Sequence, residues 1–225
     1  MPRFKGIVRT VTLSADDMRK LLTVPLDEID NWSPVKAVVL PDWKSVHAAV
    51  ARTMVDKINA NNEKGEITKF ILPVGPIDQY PIAAEMSNKE EVSWKNVWTF
   101  NMDEYLDWEG RPIPEDHPHS FHAAMKRSLF NVLKEVLRPP EGQRWFPDPF
   151  DPDAIDEKID ELGGVDIAYG GIGEHGHIAF NEPVNTYFMR LTPEEFKRSK
   201  TRVVELNPDT LTRGLRSTLF EIPPR

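Results

Sequence analysis

Short apolar runs alternate with longer stretches of helical spacing along this chain. Residues 35–40 read VKAVVL, a valine-rich run that predicts a strand. Asp42 is placed as an N-cap, and Trp43, Val46, Val50, Met54 and Ile58 then recur every three or four positions. That spacing predicts a helix, closed by the polar stretch 61–65. Residues 69–74 predict a second, buried strand, followed by a turn and a helix over 77–88. A third strand is expected over 96–101. Residues 120–137 read as one helix, with Phe121, Met125, Leu129, Leu133 and Val136 along one side. A short helix over 153–162, a strand over 165–169 and a half-exposed strand over 201–206 complete the pattern.

Strands alternating with helices predict an α/β fold with a doubly wound, mostly parallel sheet flanked by helices, a Rossmann-like three-layer arrangement. The whole of 1–225 reads as a single domain. Such sheets bind ligands beyond the carboxyl ends of their strands. That rule points to the chain after Leu72, after Phe100 and after Tyr169.

Composition narrows the function. The 36 acidic and 28 basic residues give a formal charge of -8, the wrong balance for clamping a nucleic-acid backbone. There is no cysteine, so disulfides and thiolate chemistry are excluded and an intracellular setting is expected. No apolar run reaches the roughly 18 residues needed to span a bilayer, and the first residues lack the apolar core of a secretory signal. No membrane partner and a cytoplasmic location are the expectations. The 20 prolines exceed average usage, and the excess concentrates in expected loops such as 111–114, 138–140 and 146–149.

Three segments carry candidate chemistry. Phe100-Asn101-Met102-Asp103-Glu104-Tyr105 sets two carboxylates directly after a buried strand, where a general base, an acidic loop or a helix cap are all open readings. His117, His119 and His122 stand near a helix start, as a metal pair, an anion-facing cap or surface histidines. Residues 170–183 read GGIGEHGHIAFNEP. Glycines ahead of a histidine pair let backbone approach a ligand closely. His177 can pass a proton near neutral pH, and Glu182 can orient its ring.

Together TFNMDEY (99–105), HPHSFHAAMKRSLF (117–130) and GGIGEHGHIAFNEP (170–183) resemble the glucosamine-6-phosphate deaminase/isomerase family, which shares its fold with the 6-phosphogluconolactonases. The resemblance implies isomerisation of an amino-sugar phosphate from aldose to ketose with hydrolytic release of ammonia, without a metal or organic cofactor. It implies that Asp103 moves a proton between C2 and C1, and that His177, supported by Glu182 and with His175 beside it, assists ring opening. Val74, Gly75, Gly171, Gly173 and Arg216 are implied as substrate-binding. The partner is then a small-molecule sugar or sugar phosphate, and a homo-oligomer is open as an assembly.

The chain departs from the family pattern in two places. His175 stands where the family carries aspartate, which removes an anion that would hold His177 protonated. The family's threonine- and glycine-rich phosphate loop is here Leu72-Pro73-Val74-Gly75-Pro76-Ile77-Asp78, with fewer N–H and hydroxyl donors and one added negative charge. The family sheet also continues beyond the equivalent of Arg225, so a naturally short member or a C-terminally incomplete domain is expected. Two further readings stay open: a catalytically impaired sugar-binding sensor of the same fold, and a metal-dependent hydrolase built on the clustered histidines.

Overall fold

The computed structural model describes residues 14–31, 35–173, 176–181, 193–208 and 210–211. The first helix, α1 (Ala15–Thr23), starts at Ser14, whose hydroxyl accepts the Asp17 N–H at 3.0 Å, and none of its residues is buried. The second, α2 (Trp43–Lys64), begins where Asp42 accepts the Ser45 N–H at 2.7 Å. It ends at Gly65, whose left-handed backbone (φ 70°) a residue with a Cβ adopts only with strain. Then follow β1 (Thr68–Leu72), α3 (Gln79–Glu90), β2 (Val97–Asn101) and α4 (Phe121–Met125). The last elements are β3 (Arg144–Trp145), α5 (Asp153–Glu161), β4 (Ile167–Ala168) and α6 (Pro193–Arg198).

The four strands form one parallel sheet in the order β3-β2-β1-β4. Thr68 to Leu72 lie opposite Val97 to Asn101, while Phe70 faces Ile167 on the other side. The chain thus winds outward from β1 through β2 to β3, then returns to lay β4 against the opposite flank of β1. The reversal opens a crevice beyond the carboxyl ends of β1 and β4.

The core lies on one face of this sheet. Phe70 and Leu72 are fully buried among Met54, Val55 and Ile58 of α2, Tyr80 and Ala83 of α3, and Leu129 and Phe130. Each such side chain removed from water contributes about 1.5–3 kcal/mol. Trp94 is also fully buried, and its indole N–H donates to the Ser87 hydroxyl at 2.8 Å.

Three expectations are corrected. Residues 35–40 are irregular rather than a strand, with Val35, Val38 and Val39 exposed, because β propensity reflects packing on a half-buried surface more than the backbone itself. Residues 201–206 are likewise irregular, with Val203 exposed. The helix expected over 120–137 ends early. After α4 the turns widen into a π-helical segment, Lys126–Phe130, and the chain then leaves the helix until a short 3-10 turn at Glu135–Leu137. Asn88 of α3 explains the break: its amide donates to the Val132 carbonyl and accepts the Lys134 N–H, both at 2.7 Å. A side chain supplies what the helix ladder would otherwise provide. Among the described residues no helix is long and apolar enough to cross a membrane.

Candidate active site

Beyond β2, Met102 donates its N–H to the Leu72 carbonyl at 2.9 Å, which keeps the chain beside β1 for one residue past the strand. The next two residues, Asp103 and Glu104, diverge. Glu104 turns toward α4: one carboxylate oxygen accepts the Phe121 and Tyr105 N–H groups, the other the His122 N–H, all at 2.9 Å. Ser120 takes the following N–H, that of Ala123, at 3.1 Å. Asp103 lines a cavity of about 970 Å³ at the crevice, whereas Glu104 does not reach that cavity. Of the readings open to this acidic pair, Glu104 takes that of the helix cap, and Asp103 is the member that faces this cavity.

Burial pushes the Asp103 carboxyl up to about 7, and the adjacent Glu104 charge adds to the rise. Burial also raises Glu104, against the opposing pull of its N–H donors. A carboxyl half ionised at neutral pH in a cleft is suited to exchanging protons with a ligand.

His177 lines the same cavity from the loop after β4. That loop folds back on itself, with the Gly173 N–H donating to the His177 carbonyl at 2.9 Å and the Gly176 N–H to the Gly173 carbonyl at 2.8 Å. Gly171 meets the loop after β1: a Cβ there would stand 2.3 Å from the Gly75 carbonyl oxygen. Val74, Gly75, Gly171 and Gly173 all line the cavity. His175, Glu182 and Arg216 lie outside the described residues.

An aromatic cluster joins the loops that carry Asp103 and His177. Phe180 packs on Tyr105 (5.4 Å between centroids), on Phe121 (6.3 Å, stacked) and on His177 (5.7 Å). Ala179 and Phe180 both take positive φ, 54° each, a conformation that costs energy in residues bearing a Cβ. The strain sits beside the imidazole that Phe180 supports.

Some cavity residues escape sequence reading. His47 interrupts the apolar stripe of α2, lines the cavity, and places Nδ1 3.5 Å from the Asp78 carboxylate. A histidine between Val46 and Val50 was the available signal. Tyr169, at the end of β4, also lines the cavity, with its hydroxyl 3.2 Å from that of Thr53. His119 lies edge-on to Tyr105, with burial lowering its basicity, while His122 stacks on Phe146 at 4.1 Å. Among the described residues no three His, Asp or Glu side chains converge on a point where a metal ion could sit.

No family model matches the chain. It is similar to the glucosamine-6-phosphate deaminase of Phocaeicola vulgatus, 33% identical over 186 residues, which cover 79% of this chain and 64% of that protein. The Caenorhabditis elegans enzyme of the same name is 33% identical over 81% of this chain and 64% of its own length. That of Bacteroides thetaiotaomicron is 36% identical over 79% and 62% respectively. The chain therefore spans somewhat under two thirds of these relatives' length. Among solved structures, a monomeric glucosamine-6-phosphate deaminase superposes with a TM-score of 0.65 at 26% identity, covering 81% of this chain and 70% of that one. By sequence and by fold, the chain is similar to glucosamine-6-phosphate deaminases.

Proposed function

We propose that this site isomerises and deaminates an amino sugar of the glucosamine 6-phosphate type. The observation that carries the reading is the convergence of Asp103 and His177 on one cavity, from the ends of β2 and β4. In this reading His177, with Glu182 behind it, protonates the ring oxygen as the C1–O bond breaks and the C1 hydroxyl gives up its proton, which leaves the open-chain aldehyde. Asp103 as carboxylate removes the proton from C2, and the aldehyde oxygen takes up a proton to give the enolamine. Asp103, now a carboxylic acid, returns that proton to C1. The C2 iminium so formed adds water and releases ammonia, leaving the ketose.

A carboxylate raised toward 7 by burial suits both halves of this exchange, because it holds and yields a proton near neutral pH. A coupled assay for ammonia from glucosamine 6-phosphate, run beside unphosphorylated glucosamine, tests the reading. A folded protein that releases ammonia from neither would sink it.

The sensor reading draws on a different observation. Pro76 contributes no N–H to the loop after β1, and the Gln79 side chain caps its carbonyl at 2.7 Å. It predicts thermal stabilisation by sugar ligands without ammonia or ketose.

A further inference from the structure

We infer that Glu104 is the positioning residue of this site: its carboxylate fastens the loop bearing Asp103 to the first turn of α4 and leaves Asp103 as the carboxylate of that pair facing the cavity with His177. The inference deepens the proposed function and rests on it for its catalytic meaning, but the geometry is a property of the resting protein.

Two neighbouring carboxylates after a strand would ordinarily both seek water. Here Glu104 instead collects three backbone N–H groups, two from α4 and one from Tyr105, all at 2.9 Å. Backbone N–H groups at a helix start favour an ionised acceptor. With its oxygens held there, the residue cannot swing toward a ligand, and Asp103 is fixed by being next to it in a chain clamped on both sides. Upstream, the Met102 N–H is bound to the Leu72 carbonyl. Downstream, Tyr105 packs on Phe121 at 4.8 Å, so the clamp and the aromatic contact reinforce each other.

Electrostatics gives Glu104 a second effect that a purely structural cap would lack. Its negative charge adjoins Asp103 and opposes ionisation there. Tyr80 on α3 also faces the Asp103 charge, and the other titratable or charged groups lining the cavity are His47 on α2, Tyr105, His119 ahead of α4, Arg127, and Tyr169 and His177 after β4. Glu104 is the carboxylate that shares the loop with Asp103.

The test compares Glu104→Gln, Glu104→Asp and, as a stability control, Asp42→Ala, which removes the cap of α2. Carboxyl-carbon NMR of aspartate-labelled protein, assigned through Asp103→Asn, reads the Asp103 titration; amide hydrogen exchange reads residues 103–105 and 121–122. Glutamine keeps the shape but puts an NH2 group where a carboxylate oxygen accepts. E104Q is expected to lower the Asp103 midpoint by roughly half a pH unit or more and to speed exchange at those amides about tenfold or more. E104D keeps the charge but is one methylene short, so it should speed exchange while leaving the midpoint close to wild type. D42A should lower the melting temperature with neither local effect. The inference is overturned if E104Q titrates and exchanges like wild type, or if D42A reproduces its changes. Should E104Q fail to fold, E104D decides through exchange alone. Absence of ammonia release by the wild type would sink the functional reading while leaving these measurements legible.

Discussion

Gly173 lies against the imidazole of His177: a methyl group built on it would stand 2.1 Å from Nε2. The glycine is thus the seat of the ring, and any side chain there displaces it. Because the obstructed atom belongs to a side chain that can swing aside, Gly173→Ala is expected to move the imidazole and leave the fold intact. Turnover should fall by about 10²-fold or more, the scale of losing a placed acid, while the melting temperature stays near wild type. Gly171→Ala meets backbone instead, 2.3 Å from the Gly75 carbonyl oxygen. It should destabilise by about 1–3 kcal/mol as an overpacked contact. Parallel melting curves and ammonia assays of the two variants separate the effects, and equal destabilisation by both would contradict the assignment.

In the proposed mechanism Asp103 acts as a carboxylate on a carbon-bound proton, and burial pushes its carboxyl up to about 7. The acid limb of kcat/KM is therefore expected to have its midpoint close to neutrality, far above the range of an exposed aspartate. Asp103→Asn should abolish that limb and lower the rate by about 10²–10⁴-fold. A midpoint near 4 in the pH–rate profile would show that another group governs the limb.

The same buried carboxyl weakens the fold as pH rises. Its folded-state value lies above its unfolded value of 3.8, so between about 4 and 7 the native state holds a proton that the unfolded chain has released. Stability contributed by the neutral form is fully present below that window and lost through it. Asp103→Asn removes the dependence and should be more stable than wild type at pH 8, by an amount on the order of 4 kcal/mol at most. Denaturant unfolding at pH 4 and pH 8 reads the difference, which should vanish at the lower pH.

Ser87→Ala is expected to cost about 1–3 kcal/mol, because it strands the buried indole N–H of Trp94 that now donates to the serine hydroxyl. Chemical denaturation checks the value, and adding Trp94→Phe to the same background should recover part of it.

How far the sequence could be read depended on how local the determining interactions were. The helix from Trp43 to Lys64 was legible because both of its ends are coded in place, by Asp42 and Gly65. The positions of Asp103 and His177 followed from strand ends and the rule for parallel sheets, and both side chains line one cavity. The break after Phe130 was not legible, since it depends on Asn88, more than forty residues away. Nor was β3, two residues long, whose Arg144 is held by the Pro139 carbonyl and by the face of Phe130 at 4.7 Å. The capping of α4 by Glu104 was also hidden, because the N–H groups it accepts lie 17 and 18 residues further along the chain.

The central strand β1 ends in contact with the loops that carry Asp103 and His177: Leu72 receives the Met102 N–H, Ile71 receives the Tyr169 N–H at 3.0 Å, and Gly75 abuts Gly171. Residues 73–78 consequently behave as a keystone. Lengthening or shortening that segment would disturb the carboxylate and the imidazole together, because the contacts around its start hold both loops to one strand.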